Sequence, residues 1–211
     1  MGKNFDVTLY LLTHPLQDLV ERVRQAVLGG VTMIQYRDKV SGDRDFLRTG
    51  RLVREFAREA GVAFIVNDRI DLALVLDADG VHIGQEDMDA ASARALIGPE
   101  RILGISAGTV QQALEAVAAG ADYLGVGDVF GTATKHKKEG PIGLEGLRAV
   151  SAAVSIPVTA IGGVTLENAP GAICAGAEGI SVISAILFAP DSRKAAEDLK
   201  RSVLRAKGKV S

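Results

Sequence analysis

The chain has 211 residues, of which 47% are hydrophobic and 24% charged, and its formal net charge is −2. This balance is typical of a globular protein with a sizeable core, and it argues against nucleic-acid and membrane partners. Cys174 is the single cysteine, so an internal disulfide is excluded and a reducing compartment is favoured. No apolar run approaches the ~18 residues of a membrane span, and no signal peptide is recognisable. We therefore expect a cytoplasmic protein.

Short apolar runs alternate with longer amphipathic stretches along the whole chain. The runs are rich in Val, Ile and Leu and mostly lack strict alternation, which is typical of parallel strands buried on both faces. They predict strands at Val7–Leu12, Val31–Tyr36, Ala63–Val66, Gly80–Ile83, Ile102–Ser106, Tyr123–Val126, Val158–Ile161 and Gly179–Ile183. The clearest helices are Leu16–Leu28, Phe46–Ala60, Val110–Ala119 and Leu144–Ala153, and the second is expected to bury Leu52, Val53, Phe56 and Ala60.

Eight strand-helix alternations in this length predict a compact α/β fold of the (β/α)8 TIM-barrel type. We expect one domain over residues 1–211, with the barrel at about 7–206 and a short flexible C-terminal tail. The alternative is an open doubly wound sheet, which usually carries a glycine-rich dinucleotide turn after its first strand. Here that turn is Thr13-His14-Pro15 and contains no glycine, so the barrel is favoured.

Polar side chains collect just after the predicted strands, where barrel enzymes carry their chemistry. Gln35, Arg37 and Lys39 alternate at the end of the second strand and should point one way. An amide can read the edge of a heterocycle, and two cations can grip a diphosphate. The alternative interpretation is a surface strand end whose cations pair with Asp38 and Asp43.

Two acidic clusters follow the third and fourth strands. Asp68 in Asn67-Asp68-Arg69 and Asp87 in Gly84-Gln85-Glu86-Asp87 would then lie on neighbouring strand ends. Mg²⁺ is commonly held by one or two carboxylates together with waters and substrate phosphates, so this pair predicts a magnesium site. Glu86 and Asp89 compete for the second position, and the cluster taken alone could also be a solvated rim. Asp71 is expected to cap the next helix or to pair with Arg69.

The later strands carry features of a second anion site. Thr132, Thr134 and Lys135 lie in a long Gly- and Lys-containing segment that could act as an active-site lid. The alternative is a disordered surface loop. Barrels often bind phosphate with the loops after strands seven and eight, here around Gly163 and around Ile183-Ser184. Ser106 ends the fifth strand without a histidine close in sequence, so a hydrogen bond to a diphosphate is favoured over a nucleophilic role. Of the three histidines, His82 is expected to be a satisfied core residue, His14 could face the site, and His136 should be solvated.

Six motifs in this order resemble the thiamin phosphate synthase family over about residues 9–186. They are Gln35-Tyr36-Arg37-Asp38-Lys39, Asn67-Asp68-Arg69, Gly80-Val81-His82-Ile83-Gly84-Gln85-Glu86-Asp87, Thr132-Ala133-Thr134-Lys135, Ile161-Gly162-Gly163 and Val182-Ile183-Ser184-Ala185-Ile186. The resemblance implies a transferase of thiamin biosynthesis. It would join 4-amino-2-methyl-5-(diphosphooxymethyl)pyrimidine to 4-methyl-5-(2-phosphoethyl)thiazole, giving thiamin monophosphate and diphosphate. The two partners are then phosphorylated heterocycles, and a homo-oligomer is compatible with this function.

The resemblance also implies residue roles. Contacts to the pyrimidine diphosphate fall to Gln35, Arg37, Lys39, Asn67, Ser106 and Lys135, of which Arg37, Lys39, Ser106 and Lys135 would be catalytic. Mg²⁺ ligation falls to Asp68 and Asp87. Contacts to the thiazole phosphate fall to Thr132, Thr134, Gly163, Ile183 and Ser184. The chain departs from the common family pattern at His14, Gly108, Asp128 and Gly131.

Two other functions remain open at this point. A thiazole tautomerase of the same fold would bind only the thiazole phosphate and would need a placed acid-base group, often a histidine, where this chain has Gly108. A barrel that has lost turnover would bind ligands without reaction. The retained carboxylate pair and diphosphate cations favour the synthase.

Overall fold

The computed structural model describes residues 3, 5–131 and 140–209. Within these residues, eight parallel strands close into a barrel in which each strand pairs with its neighbours in sequence and the first pairs with the eighth. The TIM-barrel prediction is confirmed, and the open doubly wound sheet is wrong. The strands are β1 (Leu9–Leu12), β2 (Met33–Tyr36), β3 (Ala63–Asn67), β4 (Gly80–Ile83), β5 (Ile102–Ala107), β6 (Tyr123–Val126), β7 (Val158–Ile161) and β8 (Gly179–Val182).

A helix follows each strand, and one more closes the described part of the chain. The helices are α1 (Leu19–Leu28), α2 (Asp43–Glu59), α3 (Ile70–Val75), α4 (Ala90–Ile97), α5 (Val110–Ala118), α6 (Gly143–Ala153), α7 (Ala169–Cys174), α8 (Ser184–Leu187) and α9 (Ser192–Ala206). Gly61 and Gly120 follow α2 and α5 with φ of 66° and 87°, a conformation that lets the chain leave a helix and enter the next strand. None of the helices described here is both long and apolar enough to cross a membrane.

The buried face of α2 differs from the prediction. Its buried residues are Phe46, Gly50, Val53 and Ala57, whereas Leu52 and Ala60 are exposed. Gly50 lies at the centre of the buried face, where the helix packs closely on Tyr36 of β2 and on Leu76. A Cβ atom on Gly50 would lie 2.8 Å from Leu76 Cδ1 and 3.1 Å from Tyr36 Cε1. A count of apolar side chains could not find this face, because glycine adds nothing to such a count.

The barrel interior has an apolar cluster and a polar end. The buried members of the cluster are Val7, Tyr10, Leu12, Met33, Ile65, Ile102 and Tyr123. The rings of Tyr10 and Tyr123 meet edge to face at 5.7 Å between centroids. Toward the carboxyl ends of the strands, the inward-facing positions become polar, with Gln35, Asn67, His82 and Ser106. The fold therefore gathers polar groups at the carboxyl-terminal end of the barrel strands.

Candidate active site

Thr13 fixes the backbone that carries Arg37. Its hydroxyl is fully buried, accepts a hydrogen bond from the Arg37 N–H at 2.7 Å and donates one to the Arg37 carbonyl at 3.0 Å. The Thr13 N–H donates to the Gln35 carbonyl at 2.9 Å. These bonds extend the pairing of β1 and β2 beyond both strands. The backbone of Arg37 is therefore held in place where the chain leaves β2, and Lys39 follows two residues later.

Asp38 is not the partner of these cations. Its carboxylate accepts hydrogen bonds from the N–H groups of Val40 and Ser41, both at 2.9 Å. Burial raises the pKa of Asp38, but the hydrogen bonds from Ser41 and Val40 outweigh it and hold this pKa below its usual value. Asp43 lies 2.9 Å from Arg69 instead. The predicted alternative, in which Arg37 and Lys39 pair with Asp38 and Asp43, is therefore wrong.

Asp68 and Asp87 lie together at the rim, with Lys39 beside them. Lys39 Nζ is 2.8 Å from Asp68 Oδ2, and the Asp87 carboxylate accepts a hydrogen bond from the Gly84 N–H at 2.7 Å. Asp68 has φ of 59°, a conformation rare outside glycine, and its N–H donates to the His82 carbonyl at 2.8 Å. The pKa of Asp87 is raised by desolvation of the Asp87 carboxyl and by the neighbouring Asp68 carboxylate. Two carboxylates that repel each other in this way offer a favourable place for a cation.

The neighbouring acidic residues have other partners. Asp89 caps α4 by accepting a hydrogen bond from the Ser92 N–H at 2.9 Å, and this contact lowers its pKa. Asp71 pairs with Arg69 at 2.6 Å, which is one of the two roles predicted for it. In the described part of the chain, no three His, Cys, Asp or Glu side chains gather as a metal cluster. The two carboxylates of Asp68 and Asp87 therefore suit an ion that takes few protein ligands, such as Mg²⁺, better than Zn²⁺.

Ser106 has a histidine partner that its local sequence does not reveal. His82 Nε2 lies 3.0 Å from Ser106 Oγ, and the Gln85 side chain donates to the Ser106 carbonyl at 2.6 Å. His82 is a buried residue with both ring nitrogens engaged, since Nδ1 lies 3.0 Å from Tyr123 Oη. It is thus a satisfied core histidine, as expected, but it also touches a predicted site residue. Only the pairing of β4 with β5 could have indicated this contact.

Gln35 lies inside the barrel rather than on its rim. It is 1% exposed, and its Nε2 donates to Tyr10 Oη at 2.8 Å. Lys39, by contrast, has a half-exposed side chain. Asn67 ends β3 and pairs in register with His82. The predicted amide and cations therefore lie at different depths, which suits a ligand with a flat ring inside the barrel and a charged group at the mouth.

The loops after β7 and β8 supply backbone groups at the same end of the barrel. Gly163 has φ of 65°, and a Cβ atom there would lie 2.2 Å from the Gly131 carbonyl oxygen, so only glycine fits. Ser184 is exposed and begins α8 directly after Ile183. The first N–H groups of a helix have no partner within it and suit an anion. The predicted residues Thr132, Thr134 and Lys135 lie outside the described residues.

Asp128 and Gly131, which lie after β6, are linked by a hydrogen bond. The Gly131 N–H donates to Asp128 Oδ1 at 2.9 Å, and the Asp128 carbonyl accepts from the Ile142 N–H at 2.8 Å. The Phe130 N–H in turn donates to the Gly162 carbonyl at 3.0 Å. The ends of the segment after β6 are therefore held together and packed on the loop after β7.

Comparisons with known proteins identify the family of this chain. The family model described as thiamine monophosphate synthase matches residues 9–186. A thiamine-phosphate synthase of Moorella thermoacetica is 55% identical over 190 residues, which cover 90% of each chain. That of Chloroflexus aurantiacus is 50% identical over 181 residues, covering 86% of this chain and 83% of the relative.

Solved structures give the same result. A thiamine phosphate pyrophosphorylase from Pyrococcus furiosus superposes with a TM-score of 0.88 at 44% identity, covering 95% of this chain and 96% of that one. A barrel with this rim, matched over nearly its whole length by such relatives, belongs to the thiamine monophosphate synthase family.

Proposed function

We propose that this chain joins an aminopyrimidine diphosphate to a thiazole phosphate and releases diphosphate, forming thiamin monophosphate. Its membership of the family supports this reaction. Within the structure, the observation that carries the proposal is the group formed by Lys39, Asp68 and Asp87 at the carboxyl ends of the strands. It combines a cation for a phosphate oxygen with two carboxylates for a metal ion.

The diphosphate would lie across the rim between β2 and β5. Arg37 and Lys39 contribute positive charge, and the Ser106 hydroxyl contributes a hydrogen bond. Asp68 and Asp87 would hold Mg²⁺, which when bound neutralises negative charge on phosphate oxygens. Lys135 is proposed to complete this set. Because the leaving group gains charge as its bond to carbon breaks, each of these contacts strengthens in the transition state.

No covalent intermediate with the protein is needed. Loss of diphosphate leaves a cation on the methylene carbon that the electron-rich aminopyrimidine stabilises, and the thiazole nitrogen then forms the new bond. His82 is not placed to activate Ser106 as a nucleophile, because its second nitrogen contacts the Tyr123 hydroxyl rather than a carboxylate. The contribution of the protein is therefore orientation and electrostatics.

The thiazole phosphate would occupy the loops after β7 and β8. Gly163, Ile183 and Ser184 are proposed to bind it through backbone N–H groups, and Thr132 and Thr134 through their hydroxyls. This position lies across the rim from β3 and β4, the strands that Asp68 and Asp87 follow. The two ligands would then face each other with their phosphates apart, which keeps the like charges separated.

The test is to mix both substrates with Mg²⁺ and the purified chain and to measure diphosphate release. The proposed enzyme produces diphosphate and thiamin monophosphate in equal amounts. A thiazole tautomerase would release no diphosphate, and a ligand-binding barrel would bind either substrate without product. Absence of diphosphate under conditions in which both substrates bind would refute the proposal.

A further inference from the structure

Five polar side chains form a continuous hydrogen-bonded chain through the interior of the barrel. Gln35 Nε2 is 2.8 Å from Tyr10 Oη, which is 2.6 Å from Tyr123 Oη. Tyr123 Oη is 3.0 Å from His82 Nδ1, and His82 Nε2 is 3.0 Å from Ser106 Oγ. We name this set the interior chain. It links β2 to β5, and both of its ends are proposed to contact the pyrimidine diphosphate.

Counting protons gives the interior chain a direction. The Gln35 amide donates to Tyr10, so the single Tyr10 hydroxyl proton serves the bond to Tyr123. The Tyr123 proton then serves the bond to His82 Nδ1, which must be an acceptor. A neutral imidazole that accepts at Nδ1 carries its proton on Nε2 and donates it to Ser106. The Ser106 hydroxyl proton is thereby left for another acceptor.

The two phenols keep the protons that this count requires. Tyr10 and Tyr123 are 1% and 0% exposed, and burial raises the pKa of each hydroxyl above its usual value. Gly104 makes the placement of Tyr123 and His82 possible, because a Cβ atom there would lie 2.2 Å from Tyr123 Oη and 2.5 Å from His82 Nδ1. In a buried chain of this kind, a bond in which two donors or two acceptors face each other leaves polar groups unsatisfied and costs free energy.

With a neutral His82, one other arrangement satisfies all the bonds. If the Gln35 amide were rotated, Oε1 would accept from Tyr10, Tyr123 would donate to Tyr10, and His82 would carry its proton on Nδ1. His82 Nε2 would then accept from Ser106. The interior chain thus has two self-consistent directions, and the groups at its two ends change together.

We propose that the interior chain holds one direction, so that Gln35 presents its Oε1 acceptor and Ser106 its hydroxyl donor to the same ligand. An acceptor suits the exocyclic amino group of a pyrimidine, and a donor suits an oxygen of its diphosphate. This inference rests on the proposed function and deepens it. Tyr10, Tyr123 and His82 are positioning residues, which act on the ligand through Gln35 and Ser106.

The tautomer of His82 is a direct readout of this direction. Nitrogen NMR of histidine-labelled protein, with the His82 resonances assigned by their loss in His82→Gln, shows which ring nitrogen carries the proton. We expect the proton on Nε2 and none on Nδ1 in the ligand-free protein at neutral pH. A proton on Nδ1 would overturn the inference.

A substitution at the far end of the interior chain should reverse it. In Gln35→Glu the carboxylate can only accept from Tyr10, so Tyr123 must donate to Tyr10 and His82 must donate from Nδ1. We expect the His82 proton to appear on Nδ1 in Gln35→Glu but not in Gln35→Glu/Tyr123→Phe, where the relay is cut. An Nδ1 without a proton in Gln35→Glu, or the same change in both variants, would show that no direction is transmitted.

Kinetics with a matched pair of tyrosines gives an independent measurement. Tyr123→Phe removes the central hydroxyl, which frees the Gln35 amide to rotate and weakens recognition of the amino group. We expect the KM for the pyrimidine diphosphate to rise about tenfold, the effect of one lost hydrogen bond, with no change for the thiazole phosphate.

Tyr36→Phe is the control, because the Tyr36 hydroxyl is buried outside the barrel and donates to the Phe46 carbonyl at 3.1 Å. It should leave both KM values unchanged. An equal rise in both KM values of Tyr123→Phe, or no rise, would contradict a positioning role. The NMR result needs no turnover: a wild-type chain that releases no diphosphate refutes the proposed function, whereas an active chain with the wrong tautomer refutes only the inference.

Discussion

Two aspartates three positions apart have different environments. Asp68 faces Lys39 and Asp87, whereas Asp71 lies on α3 and pairs with Arg69 at the outer surface. The hydrogen bond from Arg69 holds the pKa of Asp71 below its usual value, and the pKa of Arg69 is raised in return. Exposed ion pairs of this kind contribute about 0–1 kcal/mol to stability. Asp71 therefore lies near the site in sequence, but its carboxylate is engaged by Arg69.

Asp68→Ala should keep the fold and lose Mg²⁺-dependent diphosphate release by on the order of 10²-fold or more, because a contact that stabilises transition-state charge is removed. Asp71→Ala is the matched control, since it removes a carboxylate three residues away, in the first turn of α3, and should retain near wild-type activity. Circular dichroism checks the fold, and diphosphate release gives the rate. Wild-type activity in Asp68→Ala, or an equal loss in both variants, would contradict the assignment.

Among the secondary-structure elements, β5 and β6 are packed around large side chains that only glycine permits. Gly104 in β5 lies beside the ring of Tyr123, its register partner in β6. Gly125 in β6 faces the ring of His82, and a Cβ atom there would lie 3.0 Å from His82 Cε1. Both positions weaken a strand by ordinary propensity. Their value lies in the volume they leave for the tyrosine and histidine of the interior chain.

Gly104→Ala should lower the free energy of unfolding by about 1–3 kcal/mol or more, because its methyl group would overlap Tyr123 Cζ at 2.1 Å. Gly140→Ala adds the same methyl group where no atom of the described residues beyond its chain neighbours lies within 4 Å of the Cβ position, and it should change stability by less than about 0.5 kcal/mol. Urea unfolding followed by circular dichroism measures both. Equal stabilities for the two variants would show that the barrel interior yields to the extra methyl group.

At the scale of the whole molecule, closure of the barrel brings β1 beside β8 and collects the polar strand ends at one mouth. The single-domain organisation over residues 1–211 stays a prediction. The rim is rich in ionised groups of both signs, so the free energy of unfolding depends on pH. Part of the pH dependence follows from carboxylates on the outer surface, of which Asp71 is the clearest case.

Stability should fall as the pH is lowered below the usual carboxyl range. A carboxylate with a depressed pKa binds protons more readily in the unfolded chain, so its contribution is complete above the usual value of 3.8 and is lost as pH falls through its folded pKa. Asp71→Asn should therefore be less stable than wild type by up to about 1 kcal/mol at pH 7 and equal to it in strong acid. Urea midpoints at both pH values test this, and a difference that persists in acid would assign the effect to packing.

Much of the fold could be predicted because its causes are local. Continuous runs of Val, Ile and Leu located all eight strands to within one or two residues, as at Gly80–Ile83 and Val158–Ile161. Because parallel strands end at the same edge, the motifs around Asp68 and Asp87 could also be placed beside each other. The roles proposed for Thr132, Thr134 and Lys135 remain predictions.

The sequence by itself determined the barrel, the family and the set of polar residues at the strand ends, since each depends on short segments and their order. Only the tertiary structure decided which face of α2 is buried, and that His82 joins Tyr123 to Ser106. These contacts join residues far apart in the chain, and they depend on strand register and on space left by glycines. The hydrophobicity and charge of a single segment predict neither the register of the strands nor the space that a glycine leaves.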